Sequence, residues 1–507
     1  MRRLLLALIV LCCALGAVPA HGSAPDDCSR AGTADFDGDG LNDVVVGDPF
    51  GEPPDRWSGG GHLFFLRGTG EGFPKVRGVP FIRNGGLSGW IARAGHIDGD
   101  RCLDLVVGSP YWWGHVTQGA DGRVTSVPGA GNVYVYFGGS DFGGSNAGRI
   151  ELRAPEQRNG AHFGWSLAVS PGTIAIGAPY EDADGIPDSG AVYLYDLGGP
   201  DGRRPGAPRR ITQQTPGVPG SGEAGDLFGW SVALGTIGGG PGQDLAVGAP
   251  YEDRDDAGTP MLDAGAVTVL YEAKVGPATA YRGTGWNLSQ LTTTVRSQAG
   301  DLFGHSLAYG ESGESSYLAA GAPHADPGEV DDAGVVQLIR GGRTATQPVA
   351  GGTLWQGSAA VADVSEPRDA FGFSLAFSGT DLVVGAPFDG EGPHPETGAV
   401  HVISVFGPGG GTGGAAGLDM RAWRPGRLIR AATPQTYDHF GWSVSGAGGG
   451  WLVIGVPDRE KIGAVALAPP ERGAAQMLHP GDGSVALFNQ SRHNTVQGID
   501  FGATVAG

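Results

Sequence analysis

Apolar and polar residues alternate with a period of two in short runs along nearly the whole chain, and helical spacing is absent beyond the first twenty positions. The runs recur in a fixed order. The first opens on Phe-Gly: FGWSLAV from Phe163, FGWSVAL from Phe228, FGHSLAY from Phe303, FGFSLAF from Phe371, FGWSV from Phe440 and FGATVAG from Phe501, with a weaker copy, SGWIARAG, from Ser88. The second is an apolar strand that ends in Gly, a small residue and Pro, as in VVVGDP around Gly47, IAIGAP around Gly177 and LVVGAP around Gly385. The third follows a Gly, as in GNVYVYF from Gly131 and GAVYLY from Gly190. A less regular fourth, such as GRIELRA from Gly148, completes each unit. Turn residues separate the runs, and β-branched and aromatic residues fill them, so each run predicts a strand.

The second run recurs at Gly47, Gly108, Gly177, Gly248, Gly321, Gly385 and Gly455, a period of about 68 residues. Seven units of four short strands predict an all-β fold: a seven-bladed β-propeller of four-stranded antiparallel blades. The first unit starts at Ala34-Asp35 and lacks a Phe-Gly strand, while Phe501-Gly502 at 501–507 has no Gly-Ala-Pro after it. Joining the two completes one unit, so the last strand is predicted to pair into blade 1 and close the ring, removing exposed sheet edges. A single domain over 34–507 replaces the three that length alone suggests. The 95 glycines and 36 prolines among 507 residues, a composition that borders on disorder, then become the punctuation of strands and turns.

The Phe-Gly and Gly-Ala-Pro pairs resemble FG-GAP repeats, as found in the integrin α-subunit head and in the C-terminal part of glycosylphosphatidylinositol phospholipase D. The resemblance runs from about residue 30 to the last residue. It implies the propeller fold and a calcium-binding, extracellular module; it is far less specific for activity, because function lives in sites and not in folds.

Residues 1–20 read as a secretory signal peptide: Arg2 and Arg3, an apolar stretch from Leu4 to Val18, and Val18-Pro19-Ala20 as a small-residue cleavage site. A tail, 21–33, precedes the first unit. Removal of the leader leaves Cys28 and Cys102, a disulfide candidate in an oxidising compartment, with two separate buried thiols as the alternative. Cys102 lies in the turn between the first two strands of blade 2 and Cys28 just before the same turn of blade 1, so a Cys28–Cys102 bridge is predicted to pin the tail.

A formal charge of −20 argues against nucleic acid and anionic membranes and for cations as guests. The first turn, Asp35-Phe-Asp37-Gly-Asp39-Gly40-Leu41-Asn-Asp43, sets carboxylates at positions 1, 3, 5 and 9 and offers the Leu41 carbonyl at position 7, an oxygen set that suits Ca²⁺. The resemblance implies the same, since integrin-like propellers bind calcium in such turns, although they carry them in later blades. The second turn offers Asp98, Asp100, the Cys102 carbonyl and Asp104 as a weaker second Ca²⁺ site, because His96 replaces the first Asp and Arg101 the turn glycine.

Loops on the opposite face carry Trp57, Tyr111, Trp112 and Trp113, candidates for contacting a protein or a glycan. Trp165, Trp230 and Trp442 recur after Phe-Gly and read as structural, and His305 and His401 as core. No nucleophile elbow, metalloprotease helix or phosphate loop occurs, so the expectation is a non-enzymatic, monomeric, secreted (or periplasmic) binding or adhesion module without a membrane span. An extracellular carbohydrate-active hydrolase or lyase, and a structural protein of the cell envelope, are the alternatives.

Overall fold

The computed structural model describes the chain from Cys28 to Ala506 apart from internal breaks, the longest being 50–60, 69–79, 407–426, 469–486 and 490–503. The leader at 1–20 and residue Trp57 lie outside the described residues. Among the described residues, no helix is long and apolar enough to cross a membrane.

The units fold as antiparallel sheets in which strands follow one another in chain order. In the second unit, Ile91–Gly95, Asp104–Ser109, Asn132–Tyr136 and Arg149–Leu152 pair in sequence. The first unit is completed as expected: Thr504–Ala506 pairs antiparallel with Val44–Asp48, placing Thr504 against Gly47 and Ala506 against Val45.

Six sheets have four strands; the expectation of seven alike is corrected in the third unit, whose sheet has five. There the third strand, Ala191–Gly198, is long enough to be shared. Its first part pairs with Arg209–Ile211, while Leu197 and Gly198 pair with Pro205 and Arg204 across a short turn. This extra hairpin places Arg203 beside the second unit.

The phenylalanines of Phe-Gly are the wedges between units. Phe163, Phe228, Phe303, Phe371 and Phe440 are fully buried. One apolar cluster joins Val106 and Val133 of the second unit to Phe163, Leu167 and Ile176 of the third, and others bridge later neighbours in the same way. Burying one such ring stabilises by roughly 2–3 kcal/mol. The core is thus a set of layers between sheets.

Two glycines show why the repeat keeps its motif. A Cβ on Gly177, the glycine of Gly-Ala-Pro, would stand 2.1 Å from the carbonyl oxygen of Gly229 in the next unit. Gly229, of Phe-Gly, has φ +96°, a backbone that side chains disfavour. In four units a serine two residues after the Phe-Gly glycine uses that same carbonyl: Ser166 Oγ donates to Gly229 O (2.7 Å), Ser231 to Gly304 O (2.6 Å), Ser306 to Gly372 O (2.6 Å) and Ser374 to Gly441 O (2.7 Å). In the final strand Thr504 occupies the serine position, and its Oγ1 accepts from Ala92 N of the second unit (3.2 Å).

Candidate functional site

The first turn is built around aspartates that serve the backbone. Asp35 Oδ1 accepts from Gly38 N (2.7 Å) and its Oδ2 from Gly40 N (2.7 Å), which curls 35–40 into a loop. Asp39 Oδ1 accepts from Leu41 N (2.8 Å). Ligand atoms of Asp35, Asp37 and Asp39 lie within 4.8 Å of one another, Asp35 and Asp37 buried and Asp39 exposed. Burial pushes the Asp37 carboxyl up, against the pull of the exposed Arg67, whose Nε is 2.7 Å from Asp37 Oδ2. The donor set therefore fits a hard cation.

Asp43, the ninth position, is placed differently. It is fully buried and accepts from Phe36 N (2.9 Å) and Gly68 N (2.8 Å), and burial raises its pKa to about 7. Asp104 does the same for the second turn, accepting from Ile97 N (2.7 Å) and Gly138 N (2.9 Å), also with a pKa raised by burial to about 7. Asp244 repeats it in the fourth unit, whose turn keeps no other aspartate of the pattern. This position anchors one turn to the next even where a metal turn is lost.

In the second turn a cation of the chain itself meets the aspartates. Arg203, delivered by the extra hairpin, sets Nε 2.8 Å from Asp98 Oδ2 and Nη2 3.5 Å from Asp100 Oδ2. A Cβ on Gly202 would meet the Asp98 carbonyl oxygen at 2.4 Å, so the hairpin fits closely over the turn. A guanidinium supplies the positive charge here. Cys102 is bonded to Cys28 as predicted, and the bridge is buried. Backbone links from Leu103 N to Asp35 O (2.8 Å) and Gly139 N to Phe36 O (2.8 Å) hold the two turns side by side.

At the opposite ends of the strands, the residues after Phe-Gly converge. Ring centroids run Trp90–Trp165 4.8 Å, Trp165–Trp230 4.8 Å, Trp230–His305 5.7 Å, His305–Phe373 5.1 Å and Phe373–Trp442 4.8 Å. This arc lines a cavity of about 490 Å³. Trp165, Trp230, Trp442 and His305, which read from the sequence as structural or core residues, all face that cavity as well. His305 is driven by burial to a pKa of about 4, so it presents a neutral ring.

A second tier comes from the residue after Gly-Ala-Pro or its equivalent. Tyr111 lies 5.5 Å from Trp90, Tyr180 5.3 Å from Trp165, Tyr251 5.6 Å from Trp230 and Phe388 5.9 Å from Phe373. Tyr111 therefore joins the arc. Trp112 is capped by the Arg153 guanidinium 4.6 Å from its ring, and Trp113 is 62% exposed.

Two acids near these loops are held by polar partners, Glu181 buried and Glu252 half-buried. Glu181 is met by Arg210 Nε (2.7 Å) and the Tyr193 hydroxyl (2.8 Å). Glu252 accepts from Gln213 (2.6 Å), borders a cavity of about 230 Å³ that also includes Trp286, and has its pKa raised by burial and then by Asp226. His401 is buried beside Phe371, as a core residue should be, but its ligand atoms also lie within 4.8 Å of those of Asp363 and Asp389.

Residues 149–195 and 356–403 match the family described as FG-GAP repeat. These stretches hold the Phe-Gly and Gly-Ala-Pro pairs of the third and sixth units. The chain is 30% identical over 166 residues to "Integrin alpha-PS5" of Drosophila melanogaster, covering 32% of this chain and 15% of that protein. It is 30% identical over 176 residues to "Integrin alpha-PS2" of the same organism, covering 32% and 12%. The match thus spans less than a sixth of either relative's length. Among solved structures, the periplasmic gluconolactonase PpgL of Pseudomonas aeruginosa is similar at TM-score 0.46 and 13% identity, covering 86% of this chain and 94% of that one.

Proposed function

We propose that this chain is a secreted, calcium-stabilised binding or adhesion module, a closed ring of seven blades whose aromatic recess receives an extracellular protein or glycan. The observation that carries this reading is the two-tiered aromatic arc around a cavity of about 490 Å³. Rigid aromatic faces supply contact area at small entropic cost, and concave, mostly apolar cavities of this size are where ligands bind. The FG-GAP matches and the integrin α relatives are consistent with a binding role. The pairing of Thr504–Ala506 with the first unit supports ring closure.

Calcium belongs, in this reading, to the first turn, held by Asp35, Asp37 and Asp39 with the Leu41 carbonyl. The ion neutralises clustered carboxylates and stiffens the turn; Asp43 positions the loop from beneath. The buried Cys28–Cys102 bridge is consistent with an oxidising, extracellular setting.

The test is an array of glycans and extracellular proteins probed with the full chain, with and without chelator, beside a Trp165→Ala, Trp230→Ala variant. A ligand captured by the native chain and lost by the variant is the expected result. A ligand held equally by both would refute the recess as the binding surface. A second, enzymatic reading rests on Glu252, whose raised pKa beside a cavity suits a general acid; polysaccharide turnover abolished by Glu252→Gln would establish it.

A further inference from the structure

Below the aromatic recess the channel continues into a second cavity of about 280 Å³. Arg93, Leu167, Val232, Leu307, Leu375 and Val444 line both, so they form the waist between them. Five of the six are aliphatic, and the sixth is a cation.

Arg93 breaks the repeat. Strand register places it opposite Val106, two residues before the glycine of the second strand. The same register position holds Ala168, Ala233, Ala308, Ala376, Ser445 and Ala506 in the other units. Six units use a small residue there, and one has a long guanidinium.

That guanidinium has no counter-charge among the described residues. Its Nη1 donates to the neighbouring Ala92 carbonyl (2.9 Å). Among the described residues no carboxylate lines either cavity, although the chain carries 53 aspartates and glutamates. Burial lowers its pKa to about 10, with no acid close enough to counter this, and it stays charged at neutral pH. An uncompensated charge at this half-buried position costs stability. Its planar fork of donors is matched by a carboxylate, which it can hold through two parallel hydrogen bonds.

The channel thus presents neutral aromatic faces at its mouth and a single cation at its waist. A ligand that satisfies both carries a ring with an apolar face and one carboxylate. We infer that the channel takes a carboxylated sugar, a hexuronic acid residue of an acidic glycan, with its carboxylate on Arg93 and its ring against the tryptophan faces. This rests on the binding-module reading and names the ligand class of that recess. Cations are thereby excluded from the waist, whatever the acidic outer loops attract.

The probes are a glucuronic acid trimer, its methyl ester and a glucose trimer, titrated calorimetrically into the full chain and into Arg93→Ala, which installs the residue the other units use. The acid should bind the native chain at least tenfold more tightly than the ester or the neutral trimer. Arg93→Ala should lose that preference and melt at the same or a higher temperature. Equal affinity for acid and ester, no binding of the acid, or undiminished acid binding by Arg93→Ala would each overturn the inference. The acid-against-ester comparison is made on the native chain and is decisive even if the variant folds poorly. A protein or neutral glycan held through Trp165 but indifferent to Arg93 would overturn this inference while leaving the recess as a binding surface. An array on which the native chain captures nothing would remove both.

Discussion

The turns at 35–43 and 98–104 have nearly the same sequence spacing and the same buried anchor, Asp43 or Asp104, yet they meet the charge of their aspartates in different ways. The first gathers Asp35, Asp37 and Asp39 within 4.8 Å, with, among the described residues, only the exposed Arg67 of its own unit set against Asp37. The second receives Arg203 from a hairpin 103 residues away. A clustered set of carboxylates can be relieved by an ion from solution or by a covalently delivered guanidinium. What decides is the neighbouring unit, which in one place offers a hairpin long enough to reach across.

The largest effect expected on this pair comes from the bridge that pins the tail between them. Replacing Cys28 and Cys102 by serine frees a 74-residue separation and should cost about 4 kcal/mol of unfolding free energy, measured by denaturant titration. An unchanged midpoint would show that the backbone links at Asp35 and Phe36 suffice. Next, calcium at a hundredfold excess over its dissociation constant should stabilise the native chain by about 2.7 kcal/mol. Asp37→Asn with Asp39→Asn should abolish that gain, and Asp98→Asn with Asp100→Asn should leave it intact; the reverse outcome would exchange the roles of the two turns.

Arg203→Ala sharpens the contrast further. Without calcium it should destabilise by about 2 kcal/mol, since Asp98 is buried and loses its partner while Arg203 itself is partly exposed. With calcium much of the loss should return, and equilibrium dialysis should show one additional bound ion. The smallest effect concerns the anchor. Asp104 has a folded pKa of about 7, above the ordinary carboxylate value, so its stabilising contribution is complete below about pH 4 and is lost as pH rises through 7. Asp104→Asn should flatten the melting temperature over that window; a profile identical to the native one would mean the carboxyl does not titrate there.

The repeat was open to reading in the sequence because its glycines and phenylalanines answer to sterics that any unit must satisfy: Gly177 meets a neighbour's carbonyl, and Phe163 fills an inter-sheet layer. The bridge between Cys28 and Cys102 followed from placing both on adjacent turns. Arg203 did not, because an irregular hairpin within the third unit sets its partner and no periodicity marks it. The cavity-facing side of the aromatic arc was hidden for the opposite reason. Recurrence suggested packing for Trp165 and Trp230, yet a residue repeated on every inner strand next to a central axis faces its own copies across a cavity. Arg93 was hidden in SGWIARAG, the copy in which Phe is also lost, so its departure looked like decay of the motif. Departures from a repeat are where a site should be sought.

The pairing of Val44–Asp48 with Thr504–Ala506 also bears on how the molecule is made. A ribosome releases the first strands of the first sheet long before the residues that complete it, so through most of translation that sheet exposes a bare hydrogen-bonding edge around Val45. Such an edge invites misassociation, and with contacts this distant in sequence folding should be slow.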